Sequence, residues 1–415
     1  MKPFDDELLA RLCSLDSQGL RRRLRRVDSP QQSRLQAEGR ERVNFSSNDY
    51  LGLANHPVLK EAMIHAVERH GVGSGASRLV CGSLAPHHEL EEALAAFKQT
   101  EAALTFASGY ATAVGTIPAL VGKDDFVITD KLVHACIIDA VRLSGATLRV
   151  FKHNDVEDLE RMLRWAQAER ESKSRAAGAS GSSPAPAPGE GQILVITESV
   201  FSMDGDLAPL RNVVELKERY GAWLMVDEAH ATGLFGERRS GLLEAMGLAG
   251  RAEIQMGTLG KALGASGGYI AGSSALIDWL VNRARSFIFS TAPSPAVAAA
   301  AQAAVELVQS GEGELRRQRA WSQVNRLKEA VIEAGWVLPP AQSTILPLIV
   351  GGEADALRLG QSLLEAGFWI PAIRYPTVAR GKARLRFTVT ADHTLEQINA
   401  LGETLKTLRA SWNLG

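Results

Sequence analysis

Lys261 sits in the run Thr258-Leu259-Gly260-Lys261-Ala262-Leu263-Gly264, where small neighbours leave its amine open to a planar ligand. Upstream, Asp227 stands in Val226-Asp227-Glu228-Ala229-His230, directly after the apolar run WLMV. An acid at the end of a buried parallel strand occupies the place where α/β folds collect their ligands. Taken alone, Lys261 reads as a solvated loop lysine. Taken with the strand-end acid, it meets the two demands of pyridoxal 5'-phosphate: a lysine for the Schiff base and a carboxylate that keeps the pyridine nitrogen protonated. A third piece is Ser108-Gly109-Tyr110-Ala111-Thr112, which follows a strand candidate and opens a helix. Free backbone N–H groups at a helix start suit a phosphate, and Tyr110 is placed to lie against a ring. The plain alternative is a glycine turn with a helix cap. His134, just beyond the run FVIT, is either a core histidine or a ring-stacking one. Ser202, after ILVIT, also follows a strand's end.

Competing motifs fail on spacing. The Gly71 to Ala76 run follows a helical stretch rather than a strand, so it is no dinucleotide loop. The lysine loop lacks the first glycine and final hydroxyl of a phosphate-binding P-loop, with Gln255 and Ala262 in those places. His87-His88-Glu89 is not a zinc-protease motif, and no GxSxG elbow supplies a hydrolase serine. No metal site is expected.

These residues need a scaffold that brings strand ends together. Short apolar runs at 102–106, 126–129, 148–151, 193–197, 223–226 and 254–256 alternate with amphipathic helical stretches such as 156–168 and 210–220. That alternation predicts an α/β fold with a large, mainly parallel sheet. Before it, residues 1–45 read as an N-terminal helical arm, with Leu8, Leu9, Leu12 and Leu15 at helical spacing and a basic cluster from Arg21 to Arg26 that reads as a solvated face. The sheet domain runs over 46–292. A smaller α+β domain follows over 293–415, with strands expected at 345–350, 368–373 and 383–390. Residues 171–192, rich in Ser, Ala, Pro and Gly, read as a flexible insertion.

At 415 residues the chain is long enough for more than one packed unit, and a net charge of −1 gives no general attraction to nucleic acid or acidic membranes. Three widely spaced cysteines form no CxxC pair and fit a reducing compartment. With no signal-peptide core and no spanning apolar run, a cytoplasmic protein is expected.

Taken together, NFSSNDYLGL, GSGASRLVCGS, HNDV, TESVFSMDGDLAPL, MVDEAHATGLFG, GTLGKALG, FIFSTAPSP and RYPTVARGKARLRFT resemble the α-oxoamine synthases, a fold-type I pyridoxal-phosphate family. The resemblance runs from about Leu20 to the C-terminus. It implies that Lys261 carries the cofactor and acts as base and acid, and that Asp227 pairs with the ring nitrogen. It puts His230 and Ser202 at the ring oxygen, His134 on the ring face, and Gly109, Tyr110 and Thr258 on the phosphate. Ser290 and Thr291 reach a phosphate in a neighbouring subunit, so a homodimer with shared active sites is implied. Asn48 and Arg386 match positions for a substrate carboxylate; Arg21 and Thr377 match positions for the acyl substrate. For Arg21 this replaces the reading as a surface charge.

Within that family the motifs favour the biotin-synthesis branch, which joins L-alanine to a pimeloyl thioester on coenzyme A (pimeloyl-CoA) or acyl carrier protein (pimeloyl-ACP). Ser77, where the glycine-using aminolevulinate branch resembles this motif with a bulkier Thr, leaves room for alanine's methyl. Arg374 points the same way and is a second candidate for the pimeloyl carboxylate. Glycine C-acetyltransferase is the enzymatic alternative. A non-catalytic scaffold subunit is the other, and its signature would be loss of the lysine that Lys261 supplies.

Overall fold

The computed structural model describes residues 3–178 and 191–411. The chain divides into two compact units, one of Met1–Gly52, Met203–Gly205 and Gln318–Gly415, the other of Leu53–Ser202 and Asp206–Arg317. Among the described residues no helix is long and apolar enough to cross a membrane.

The larger unit is built on a seven-stranded sheet: β1 (Ala102–Phe106), β2 (Phe126–Asp130), β3 (Thr147–Phe151), β4 (Ile193–Glu198), β5 (Trp223–Asp227), β6 (Ile254–Thr258) and β7 (Gly268–Gly272). The spatial order is β1-β7-β6-β5-β4-β2-β3. β6, β5, β4, β2 and β3 run parallel, and β7 is antiparallel to both β6 and β1. Every residue of β2 and β4 is buried. That is what a parallel strand covered on both faces requires, and it explains apolar runs without polar alternation. Leu104, Val127, Leu194, Met225 and Ile270 pack with Ile117, Ile137 and Val141 of the helices Gly109–Leu120 and Ala135–Ser144 to form this unit's core.

Several strands run one or two residues further than the apolar runs predict. Asp130, Glu198, Asp227 and Thr258 are each the last residue of a strand, so polar side chains are fixed by the ladder itself. Glu198 is the register partner of Asp227, and Asp227 that of Met256. β7 escapes sequence reading because its two glycines lower strand propensity. They are needed there: a Cβ on Gly268 would lie 2.4 Å from Thr112 Oγ1 and 2.8 Å from Gly109 Cα. Only glycine lets the start of the helix Gly109–Leu120 sit against the strand's end.

The helix expected over 156–168 continues to Gly178, since residues 169–177 are mostly good helix formers and contain no glycine or proline. The first part of the expected insertion is therefore helical, and residues 179–190 lie outside the described residues. The Ala-rich helix Pro295–Gln309, which the boundary at 292 assigns to the C-terminal part, packs on Pro57–His70 and Ala85–Lys98 within the larger unit.

In the smaller unit, Ile345–Gly351, Ala383–Thr388 and Ala372–Ile373 form an antiparallel sheet whose core includes Leu346, Leu348, Leu385, Phe387, Leu363 and Leu401. The expected strand at 368–373 is instead two short strands in different sheets, interrupted at Pro371, which cannot donate to a ladder. The helical arm is shorter than expected and ends at Ser17. Arg34–Ala37 and Arg40–Asn44 pair as a hairpin whose turn places Glu38 and Gly39 at φ of 53° and 73°. Positive φ at both central positions is what a two-residue hairpin turn demands, and helix would exclude it.

One buried ion pair sits beside the acid of interest. Lys98 Nζ donates to Glu228 Oε2 at 2.5 Å and to the Ser240 carbonyl at 2.7 Å, while Glu228 Oε1 accepts the Leu243 N–H at 2.9 Å. Both side chains are almost fully buried. Burial depresses the Lys98 ammonium, but the Glu228 charge and hydrogen bond outweigh it and raise the pKa. Removing one member of such a pair typically costs about 3–5 kcal/mol. Lys98→Met should therefore lower the denaturant midpoint sharply, and adding Glu228→Gln should recover much of the loss. Wild-type stability in Lys98→Met would contradict the pairing.

Candidate active site

The C-terminal ends of the sheet strands in the larger unit surround a cavity of about 190 Å³. Lys261, Asp227, His230, His134, Gly109, Tyr110 and Thr258 all line it, so seven of the sequence-predicted residues converge. Lys261 Nζ lies 2.9 Å from His230 Nε2. Asp227 is buried at the end of β5, and its Oδ1 accepts the Ala229 N–H at 2.9 Å. Burial pushes its carboxyl up, and the Lys261 charge opposes that rise. A cation seated against it, such as a protonated pyridine nitrogen, would favour the charged form further.

His134 caps the helix Ala135–Ser144, with Nδ1 accepting the Cys136 N–H at 3.3 Å. In the neutral ring the proton then sits on Nε2. Desolvation lowers the His134 pKa and the Asp227 charge only partly offsets it, so the ring is a neutral, flat surface at neutral pH. Cys136 lines the cavity as a thiol, pushed up to about 12 chiefly by burial and by Asp227. Thr258 Oγ1 donates to the Gly267 carbonyl and accepts the Gly260 N–H, which holds the lysine loop to the end of β6. Ser108 caps the helix Gly109–Leu120 by accepting the Ala111 N–H at 3.1 Å. The first N–H groups of that helix have no intrahelical partner and carry its positive dipole end. Tyr110 is exposed, its hydroxyl donating to Asp139 Oδ2 at 2.9 Å.

Glu198, which sequence reading passed over, also lines this cavity. It is the first polar residue after the run ILVIT, as Asp227 is after WLMV, so the same strand-end reasoning applies to it. Its Oε2 accepts the Ser202 N–H at 3.3 Å, which ties the buried Ser202 to the site through the backbone. Ser290 and Thr291 do not line the cavity.

The remaining candidates belong to the smaller unit. Arg386 is buried and donates to Asn48 Oδ1 at 3.0 Å, and the Tyr50 hydroxyl donates to the same oxygen at 3.2 Å. Arg21, Arg374 and Thr377 line a separate cavity of about 750 Å³. Arg22, Arg23 and Arg25 line it too, so this part of the basic cluster faces a cavity rather than forming only a solvated surface. Arg22, not Arg21, bonds Thr377 Oγ1, at 3.1 Å; Arg21 pairs with Asp16 and Arg374 donates to the Gly19 carbonyl.

The larger unit's cavity fits pyridoxal phosphate on its own chemistry. It offers an amine for a carbonyl, a buried carboxylate for a ring cation, a neutral imidazole face, and a glycine-opened helix start for a dianion. Glu198 Oε1 is buried there without a hydrogen-bond partner, an atom a ligand could satisfy. Residues 40–405 match the family described as aminotransferase class I and II. An 8-amino-7-oxononanoate synthase of Geobacter sulfurreducens is 49% identical over 92% of this chain and 92% of its own. One from Herminiimonas arsenicoxydans is 43% identical over 95% of this chain and 97% of its own. Among solved structures, a serine palmitoyltransferase of S. paucimobilis holding pyridoxal phosphate superposes with a TM-score of 0.87 at 28% identity, covering 98% of this chain and 97% of its own.

His153, just beyond β3, ties the end of β2 to the loop that follows β4. Its Nδ1 bonds Asp130 Oδ1 at 3.0 Å and its Nε2 bonds Asp206 Oδ2 at 2.8 Å, with the ring edge-on to Phe201. Burial works against the imidazolium, but both carboxylates outweigh it and raise the pKa from 6.5 to about 10. A raised pKa contributes stability in full below the unfolded value near 6.5, and that contribution is lost as pH rises through about 10. The gap in denaturant midpoint between wild type and His153→Gln should thus be widest at pH 6 and close by pH 10. A gap independent of pH would mean that the histidine is not charged in the fold.

Proposed function

The chain belongs to the class I and II aminotransferase family and, within it, to the 8-amino-7-oxononanoate synthases, and we propose how its own residues condense L-alanine with a pimeloyl thioester. The observation that carries the reading is the meeting of an accessible amine, Lys261, with a buried carboxylate, Asp227, in one cavity at the sheet's C-terminal edge. Pyridoxal phosphate, when bound, supplies an electron sink for negative charge at alanine's α-carbon.

The protein's share is placement and proton transfer. Lys261 holds the cofactor covalently and, once its amine is free, takes the proton from alanine's α-carbon and later returns one there. Between those transfers the α-carbon bonds the acyl carbon, the thiol leaves, and the original alanine carboxyl departs as CO2. Asp227 keeps the ring nitrogen protonated. His134 covers the ring face, and His230 with Ser202 binds the ring oxygen. Gly109, Tyr110 and Thr258 hold the phosphate. Arg386 and Asn48 take alanine's carboxylate, Arg21 and Thr377 contact the acyl substrate, and its far carboxylate goes to Arg21, with Arg374 as the second candidate. Holding both reactants in line converts a bimolecular attack into an effectively unimolecular one.

Ser290 and Thr291 are assigned to the neighbouring subunit's phosphate site in a homodimer. The exposed apolar side chains of Val72, Val80 and Phe289 support a partner on this unit. We assign the reaction to the cytoplasm, where the unpaired Cys13, Cys81 and Cys136 stay reduced.

Mass spectrometry of products, with alanine or glycine offered against pimeloyl and acetyl thioesters, tests the reading. The expected product is 8-amino-7-oxononanoate; preference for glycine with acetyl-coenzyme A would move the chain to the acetyltransferase branch. Asp227→Asn should lose orders of magnitude in kcat, because each pKa unit lost at the ring nitrogen is worth about 1.4 kcal/mol. Near-normal turnover would remove Asp227 from its role. Arg21→Ala should raise KM for the pimeloyl thioester roughly ten- to hundred-fold with alanine binding unchanged, as expected for a charged hydrogen bond worth about 1.5–3 kcal/mol. An unchanged KM would return Arg21 to a surface charge.

A further inference from the structure

Glu198 faces the same cavity as Asp227 from the adjacent strand and is 2% exposed. Two carboxyls buried side by side do not both ionise cheaply; they share a proton between them. The surroundings decide where it stays. Asp227 receives the Ala229 N–H on Oδ1 and lies under the field of Lys261. On Glu198, the backbone N–H groups of Ser202 and His134 serve the carboxylate, the first of them at a long 3.3 Å to Oε2, while Oε1 has no partner. A buried carboxylate oxygen without a donor costs its full desolvation, whereas a protonated oxygen becomes a donor available to whatever the cavity holds.

We infer that Glu198 is the neutral acid of this site: it donates a hydrogen bond to an anionic oxygen of the bound ligand, and its ionisation sets the alkaline limit of ligand binding. The inference rests on reading the cavity as the cofactor site. The titratable groups lining the cavity with Glu198 are Asp227 and His230 around the end of β5, His134 and Cys136 beyond β2, Lys261 beyond β6, and Tyr110 at the start of the helix Gly109–Leu120. Desolvation and then the Asp227 charge raise the Glu198 pKa to about 8, with Lys261 opposing. Below that pH the side chain is a donor. Above it the donor is lost, and a second negative charge stands beside Asp227, where an anionic ligand is repelled.

The test compares wild type, Glu198→Gln and Glu198→Ala as cofactor-free proteins titrated with pyridoxamine 5'-phosphate, which forms no bond with Lys261. Glutamine keeps a neutral donor and cannot ionise, and the ligand's own titrations cancel in the comparison. Wild type and Glu198→Gln should bind alike at pH 7. By pH 9 wild type should bind about tenfold more weakly than Glu198→Gln, the loss expected when only the neutral fraction is competent. Glu198→Ala should bind more weakly than both at pH 7.

An alkaline loss equal in wild type and Glu198→Gln, or Glu198→Gln as weak as Glu198→Ala at pH 7, would overturn the assignment while leaving the condensation reaction intact. No binding by any of the three would overturn the assignment together with the reading of the cavity. If Glu198→Gln does not fold, infrared titration of the wild type decides: a protonated-carboxyl band lost between pH 7 and 9 is expected, and its absence at pH 7 refutes the proposal.

Discussion

Keeping one carboxylate charged inside the protein is the constraint around which the larger unit is arranged. Asp227 ends a strand buried on both sides, where an isolated anion is expensive. Its own backbone supplies a donor two residues on, Lys261 supplies positive charge, and the neighbouring Glu228 is neutralised by Lys98 rather than left to repel it. With Glu228 paired and Glu198 carrying a proton, Asp227 is the one acid of the three free to answer a ring cation. The reaction needs that asymmetry, because the electron sink works only while the ring nitrogen stays protonated.

Strand ladders, not loops, fix these positions. Because Glu198, Asp227 and Thr258 are terminal ladder residues, their spacing follows the fixed distance between paired strands. The loops that follow then need anchoring of their own. His153 anchors the loop after β4 to the end of β2 through charge, and Thr258 anchors the lysine loop through its hydroxyl. Gly268 lets the start of the helix Gly109–Leu120 lie directly on the sheet. Each device removes freedom from a group that must meet the ligand in one geometry, which is where rate enhancement by orientation originates.

Much of this was legible in the sequence because burial on both faces leaves an apolar run, and the residue that breaks the run marks the strand's end. Asp227 and Lys261 followed from that logic and from the cofactor's needs. Glu198 did not, although it breaks its run in the same way, because nothing in the cofactor's chemistry asked for a second acid. β7 was hidden by glycines selected for close approach rather than for strand formation. The arm was overextended to residue 45 because leucines at helical spacing near the terminus outweighed a Glu-Gly turn that dictates a hairpin. Among the arginines, charge alone does not separate those lining a cavity from those facing water; only the fold sets Arg22 and Arg23 against one.

The central claim is that Lys261 is the covalent attachment point of the cofactor, with Asp227 opposite. Borohydride reduction of the yellow holoprotein followed by peptide mapping tests it most directly. The account predicts loss of the visible band and one modified peptide, carrying the pyridoxyl group on Lys261. A modified peptide containing any other lysine, or a band that borohydride leaves unchanged, would contradict it.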